Sequence, residues 1–184
     1  MMNSLFGPMS YFYEKLRLPI PDIKQVPPAE LPSAERVLLA HDRDMTPTLE
    51  AAYSARLQIR ILQYVATEES VHRLVALEME GVPNTVGLGA IHIFTARLPA
   101  PARKLVLDRQ EPFGRILQEA GVTHYGRPSA YFHVTADSVI METLGLSEPC
   151  VLHGRRNTIW NAAGEALADV VEILAPSKNI ESGE

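Results

Sequence analysis

The sequence predicts an α+β domain, an antiparallel sheet of about six strands with helices clustered on one side. Two patterns carry this expectation: candidate strands are joined by tight turns, and candidate helices come in groups rather than in βαβ alternation. Composition agrees, since 184 residues with 46% hydrophobic and 21% charged side chains and a mean hydropathy of -0.02 describe an ordinary folded chain. A chain of this length buries roughly two-thirds of its unfolded surface.

Residues 1–32 hold six of the 14 prolines, at Pro8, Pro19, Pro21, Pro27, Pro28 and Pro32, and are expected to form an arm without a long helix. The cluster Tyr11, Phe12, Tyr13 with Leu16 and Leu18 predicts that the arm packs on the body. Ser33 can cap a helix through Val37, Leu38 and Leu39, and Thr46 followed by Pro47 has the N-cap plus N1-proline pattern of a second helix. The charged stretch HDRD, His41 to Asp44, therefore falls at a corner between two helices. Leu57, Ile59 and Ile61 alternate with Arg56, Gln58 and Arg60, as in a strand with one wet face. The segments 71–79 and 85–95 flank Glu80-Gly81-Val82-Pro83 and predict a hairpin.

Pro99 and Pro101 introduce a short helix, Pro112 opens another that ends at Gly121, and Thr135 or Asp137 caps a third that ends at Gly145. Strands are expected at 129–134, 151–160 and 166–174, the last two joined by Asn161-Ala162-Ala163-Gly164.

The formal net charge of -5 and a pI near 5.7 leave no basic field for a phosphate backbone, so nucleic acid is not an expected partner. Cys150 is the single cysteine and sits among apolar neighbours, which predicts an inert thiol and no disulfide. No run approaches the ~18 apolar residues of a membrane span. No leader is recognisable, and a cytoplasmic protein is expected. The six histidines follow no metal-binding spacing, and GxSxG, GxGxxG and GxxxxGK[ST] motifs are absent, so neither metal nor cofactor is expected.

Two charges stand out by strand parity. Arg73 shares a face with Val75, Leu77 and Met79, and Glu172 shares one with Ala168, Val170 and Leu174. Each must be paired or reach water. They either neutralise each other or form the two polar ends of an apolar cavity, and parity alone leaves both open.

Several pieces occur together in an order that resembles the chorismate pyruvate-lyase (4-hydroxybenzoate synthase) family, in its lyase-like bacterial, mycobacterial and archaeal branch. They are the helix corner ending in Asp44-Met45-Thr46, the hairpin Arg73, Leu77, Gly81, Pro83, the helix start Pro112-Phe113-Gly114-Arg115, the pair Arg155-Arg156, and the closing V-E-I-L-A-P with Glu172. The match spans residues 33–176 and implies a chorismate lyase-like domain there, preceded by the arm and followed by a tail at 177–184.

The resemblance implies a cofactor-free lyase that converts chorismate to 4-hydroxybenzoate and pyruvate. In that reading Arg73 grips a substrate carboxylate and Glu172 reaches the ring hydroxyl as the two catalytic residues. Met45, Thr46, Phe113 and Gly114 complete the substrate pocket. Two departures from the family pattern matter: the turn into the last strand reads Gly164-Glu165-Ala166 and is one residue longer, which keeps Asp169 as a competitor for the role of Glu172, and the tryptophan-rich strand is missing. Two other readings are a lyase with a different chorismate-derived product and a non-catalytic small-molecule-binding domain, since the fold is similar to the effector-binding domain of GntR-type transcription regulators. The proline-rich first 32 residues are expected to be too short for a winged helix. At the HDRD corner, Asp42, Arg43 and Asp44 are expected to be solvated, with the amides near Met45 and Thr46 aimed at an anion.

Overall fold

Gly81, at φ 80°, takes the left-handed conformation that lets the chain reverse between strands β3 (Val71–Met79) and β4 (Thr85–Ile93). The computed structural model describes residues 5–176, and this hairpin lies near one edge of its sheet. The remaining strands are β1 (Ile23–Val26), β2 (Leu57–Ala66), β5 (His124–Thr135), β6 (Val151–Asn161) and β7 (Ala166–Leu174). All neighbours are antiparallel, in the order β1-β5-β6-β7-β4-β3-β2. The α+β class is thus the expected one.

The seventh strand, β1, comes from the segment read as a proline-rich arm. Pro19, Pro21, Pro27 and Pro28 confine it to four residues at the sheet edge, where a strand needs ladder bonds on one side only. The same segment supplies helix α1 (Gly7–Leu16), which places Pro8 in its first turn, where a missing N–H costs nothing. Phe6, Met9, Phe12 and Tyr13 of this region are at most 1% exposed. They pack against Leu74, Ala90, Val171 and Ile173 of the sheet and against Ile140 and Leu144 of helix α6 (Ser138–Leu144). The expected tail at 177–184 lies outside the described residues.

Helices α2 (Ser33–Leu39), α3 (Met45–Tyr53), α4 (Ala100–Asp108) and α5 (Phe113–Glu119) cover the other face. Leu38, Leu39, Met45 and Leu49 meet Leu57, Leu77 and Leu174, while Val106, Phe113 and Ile116 meet Ile91, Ile159 and Val170. Helices therefore lie on both faces rather than one. The reason is in the middle strands: β3 sends Leu74 to the α1 face and Arg73, Val75 and Leu77 to the other, so both faces carry side chains that must leave water.

The helix ends differ slightly from expectation. Asp44, not Thr46, is the N-cap residue of α3, and the α6 cap is Asp137, whose carboxylate accepts from the Ile140 amide at 3.0 Å.

On the α1 face, Tyr11 stacks on His72 at 4.1 Å between ring centroids, His72 on His92 at 3.9 Å, and His92 meets Phe94 at 4.5 Å. Burial first, then the neighbouring His92 and Lys15, pushes the His72 pKa from its ordinary 6.5 down to about 4. Asp169 and Arg97 act in opposite directions on His92, whose pKa burial lowers. The folded state thus favours neutral His72. Its contribution to stability is complete above pH 6.5 and is lost as the pH falls from 6.5 towards 4. The melting temperature is expected to drop over that interval, and the drop should be shallower in His72→Phe, which keeps a ring in the stack. Equal slopes for the two proteins, followed by circular dichroism, would refute this role.

Candidate functional site

The site is organised by Arg155 on β6, which is fully buried. Its Nε donates to Glu172 Oε2 at 2.6 Å, its Nη1 to the carbonyls of Leu39 at 3.1 Å and His41 at 2.9 Å, and its Nη2 to the Arg43 carbonyl at 3.2 Å. Carbonyls at the end of a helix have no partner within it, and here one guanidinium collects those that follow α2. The chain consequently turns at residues 40–44 and starts α3 at Met45.

At the HDRD corner Asp42 and Arg43 are exposed, as expected, but Asp44 is not. Asp44 Oδ2 accepts from His124 Nε2 at 2.8 Å, and the two side chains are 15% and 10% exposed. His124 Nδ1 lies 2.9 Å from the Val122 carbonyl. The bond to Asp44 is the main cause that raises the His124 pKa above 6.5, assisted by the Val122 carbonyl and opposed by burial. The ring is thereby favoured in the form that donates from both nitrogens. Gly114 makes this arrangement possible, because a Cβ there would stand 2.7 Å from Asp44 Oδ2.

Arg73, Glu172, Met45, Thr46, Phe113 and Gly114, the six residues singled out in the sequence, line one cavity of about 80 Å³. One water needs about 10–15 Å³, so a small molecule has room. Val75, Ile91 and Val170 form apolar wall, and Gly89 leaves a gap in the sheet opposite Glu172. Asp169, three residues before Glu172, faces away from the cavity and accepts from Thr158 Oγ1 at 2.8 Å. The alternative left open between the two carboxylates is resolved by the strand register in favour of Glu172 as the one that lines the cavity.

Arg73 and Glu172 do not neutralise each other. Glu172 is engaged by Arg155, whereas Arg73, 1% exposed, donates Nη1 to the Glu111 carbonyl at 3.2 Å and Nη2 to the Val106 carbonyl. Its Nε has no partner, and it forms no ion pair among the described residues. Burial pushes the Arg73 pKa down to about 10, so the group keeps its charge at neutral pH.

Three features of the site were missed in the sequence. Arg155 shares strand parity with Asn157 and Ile159, the same signal that drew attention to Arg73, but it appeared only within an arginine pair. Asn157 also lines the cavity, and His124 reaches Asp44 across 80 positions of chain, for which no local pattern exists. Among the described residues, no group of three or more His, Cys, Asp or Glu side chains is placed to hold a metal ion, and no helix is long and apolar enough to cross a membrane.

Fold and site together define an α+β domain with a charged cavity between its sheet and the starts of α3 and α5. No protein-family model and no curated protein matches the chain. Among solved structures it is similar to the effector domain of PhnF from Mycobacterium smegmatis, with a TM-score of 0.56 and 11% identity over 73% of this chain and 90% of that one. It is also similar to the possible transcriptional regulator YydK from Bacillus subtilis subsp. subtilis str. 168, with a TM-score of 0.52 and 10% identity over 90% of each chain. At these identities the likeness shows a shared α+β fold.

These similarities overturn the expected enzymatic activity, because the matching structures are an effector domain and a possible regulator, not lyases. Chorismate, pyruvate and 4-hydroxybenzoate lose their support with it. The geometry supplies a physical reason: the carboxylate expected to act on the ring hydroxyl is held 2.6 Å from a fully buried arginine.

Removing Arg155 should leave Glu172 uncompensated and take a donor from three carbonyls, of which Leu39 keeps the His41 amide. Arg155→Leu is therefore expected to lower the unfolding free energy by about 3–5 kcal/mol in urea titrations. A loss below about 1 kcal/mol, the scale of a surface ion pair, would show that this network does not hold the corner.

Proposed function

We propose that this chain is a small-molecule-binding domain that takes an organic acid into the cavity, with Arg73 as counter-ion, and does not convert it. The observation that carries the reading is a buried guanidinium whose partners among the described residues are two main-chain carbonyls and whose Nε has none there. A charge left in that state is costly, and a carboxylate in the cavity supplies the missing partner. The apolar walls at Val75, Ile91 and Val170 suit the carbon skeleton of such a ligand. The likeness to an effector domain and to a possible transcriptional regulator favours sensing over turnover.

Sensing needs a coupling between cavity and surface. The carbonyls of Val106 and Glu111 belong to the end of α4 and the link to α5, so an anion that competes for Arg73 acts directly on that connection. A ligand shifts a conformational balance only through such a difference in contacts.

Isothermal titration against a panel of small organic acids tests the reading. Arg73→Gln is expected to weaken the best acid roughly tenfold to a hundredfold, the range for a lost hydrogen bond to a charged group. Gly89→Val should abolish binding without unfolding the chain, because a Cβ at Gly89 meets Val75 Cγ2 at an ordinary 3.4 Å and points into the gap. Failure of every acid to bind, or equal affinity in Arg73→Gln, sinks the proposal.

A further inference from the structure

The cavity floor contains a row of four side chains that crosses four strands. Arg73 on β3 stands opposite Ile91 on β4, Ile91 opposite Val170 on β7, and Val170 opposite Asn157 on β6. All four line the cavity. Three strand spacings of about 4.8 Å separate the Cα atoms of Arg73 and Asn157 by about 14 Å, with two apolar residues between them. The row is thus polar at both ends and apolar in the middle.

Asn157 is 3% exposed, and its Oδ1 is buried without a hydrogen-bond partner. Of the side chains that line the cavity, Arg73 and Asn157 are the two with a buried polar atom left unpaired among the described residues. A buried polar group in that state costs stability unless something pairs with it. Gly126 leaves room for the Asn157 amide, for a Cβ there would lie 3.0 Å from Nδ2 and 3.3 Å from Oδ1. Glu172, by contrast, already has a charged partner, because its Oε2 accepts from Arg155.

We propose that Asn157 determines ligand specificity by pairing with a hydroxyl group at the end of the ligand remote from its carboxylate. The preferred class is hydroxy acids in which an apolar stretch separates the two groups, so that the carboxylate meets Arg73, the apolar stretch lies on Ile91 and Val170, and the hydroxyl meets the amide. A hydroxyl both donates and accepts, so it satisfies the amide in either orientation. This inference rests on the acid-binding reading of the cavity and adds to it the identity of the second contact.

The test compares straight-chain acids with the matching acids that carry a terminal hydroxyl, titrated into wild-type protein and Asn157→Val. In the wild type the best hydroxy acid is expected to bind about threefold to tenfold more tightly than its unsubstituted partner, the effect of one net hydrogen bond. In Asn157→Val that preference should disappear, so that each hydroxy acid and its unsubstituted partner bind with equal affinity. Asn157→Ser should retain part of it, and if Asn157→Val does not fold, Asn157→Ala carries the same expectation. Acids that bind through Arg73 without a hydroxyl preference, or with one that persists in the Asn157 variants, overturn the role of Asn157 and leave the acid-binding reading standing. If no acid of either series binds, both fall together.

Discussion

The ion pair between Arg155 and Glu172 is the contact on which the rest of the site depends. It joins adjacent strands β6 and β7, and the same guanidinium extends to the carbonyls that follow α2. One buried cation therefore fixes the sheet register at this row and the position of the helix corner above it. Such a charge is tolerable in the interior because its donors meet a carboxylate and three carbonyls in good geometry. The start of α3 and the Asp44–His124 pair follow from where that corner is held.

Arg73 sits on the same face of the sheet and has the opposite electrostatic situation. Its partners are neutral carbonyls, and no carboxylate among the described residues offsets its charge. Two buried arginines thus divide the work: one is saturated and holds the architecture, and the other retains bonding capacity towards the cavity. This contrast supports ligand binding better than chemistry.

Both faces of the central strands are buried, and this constrains where a cavity can form. The α1 face is filled by aromatic side chains from α1 with Leu74, Ala90 and Val171. On the other face the helices arrive as two clusters, α2 with α3 and α4 with α5, that build separate cores. The cavity is the gap between those cores, with Arg73, Gly89 and Glu172 on its floor. Gly89 contributes by its lack of a side chain, since a larger residue there would close the gap.

The sequence by itself determined the strands from β2 to β7 and which way the side chains of β3 and β7 point. The bounds of β3 and β7 and the inward parity of Arg73 and Glu172 were legible because a strand has a period of two and buried faces repeat it. α1 and β1 were not legible, since proline frequency dominates a local reading while the apolar residues of α1 reveal their purpose only against the sheet they cover. Only the tertiary structure decided the pairing of charges. Arg155 finds Glu172 across 17 residues and Asp44 finds His124 across 80, so the partner that turns a charge into an architectural bond or leaves it open for a ligand is chosen by strand order and helix placement, which no local pattern encodes.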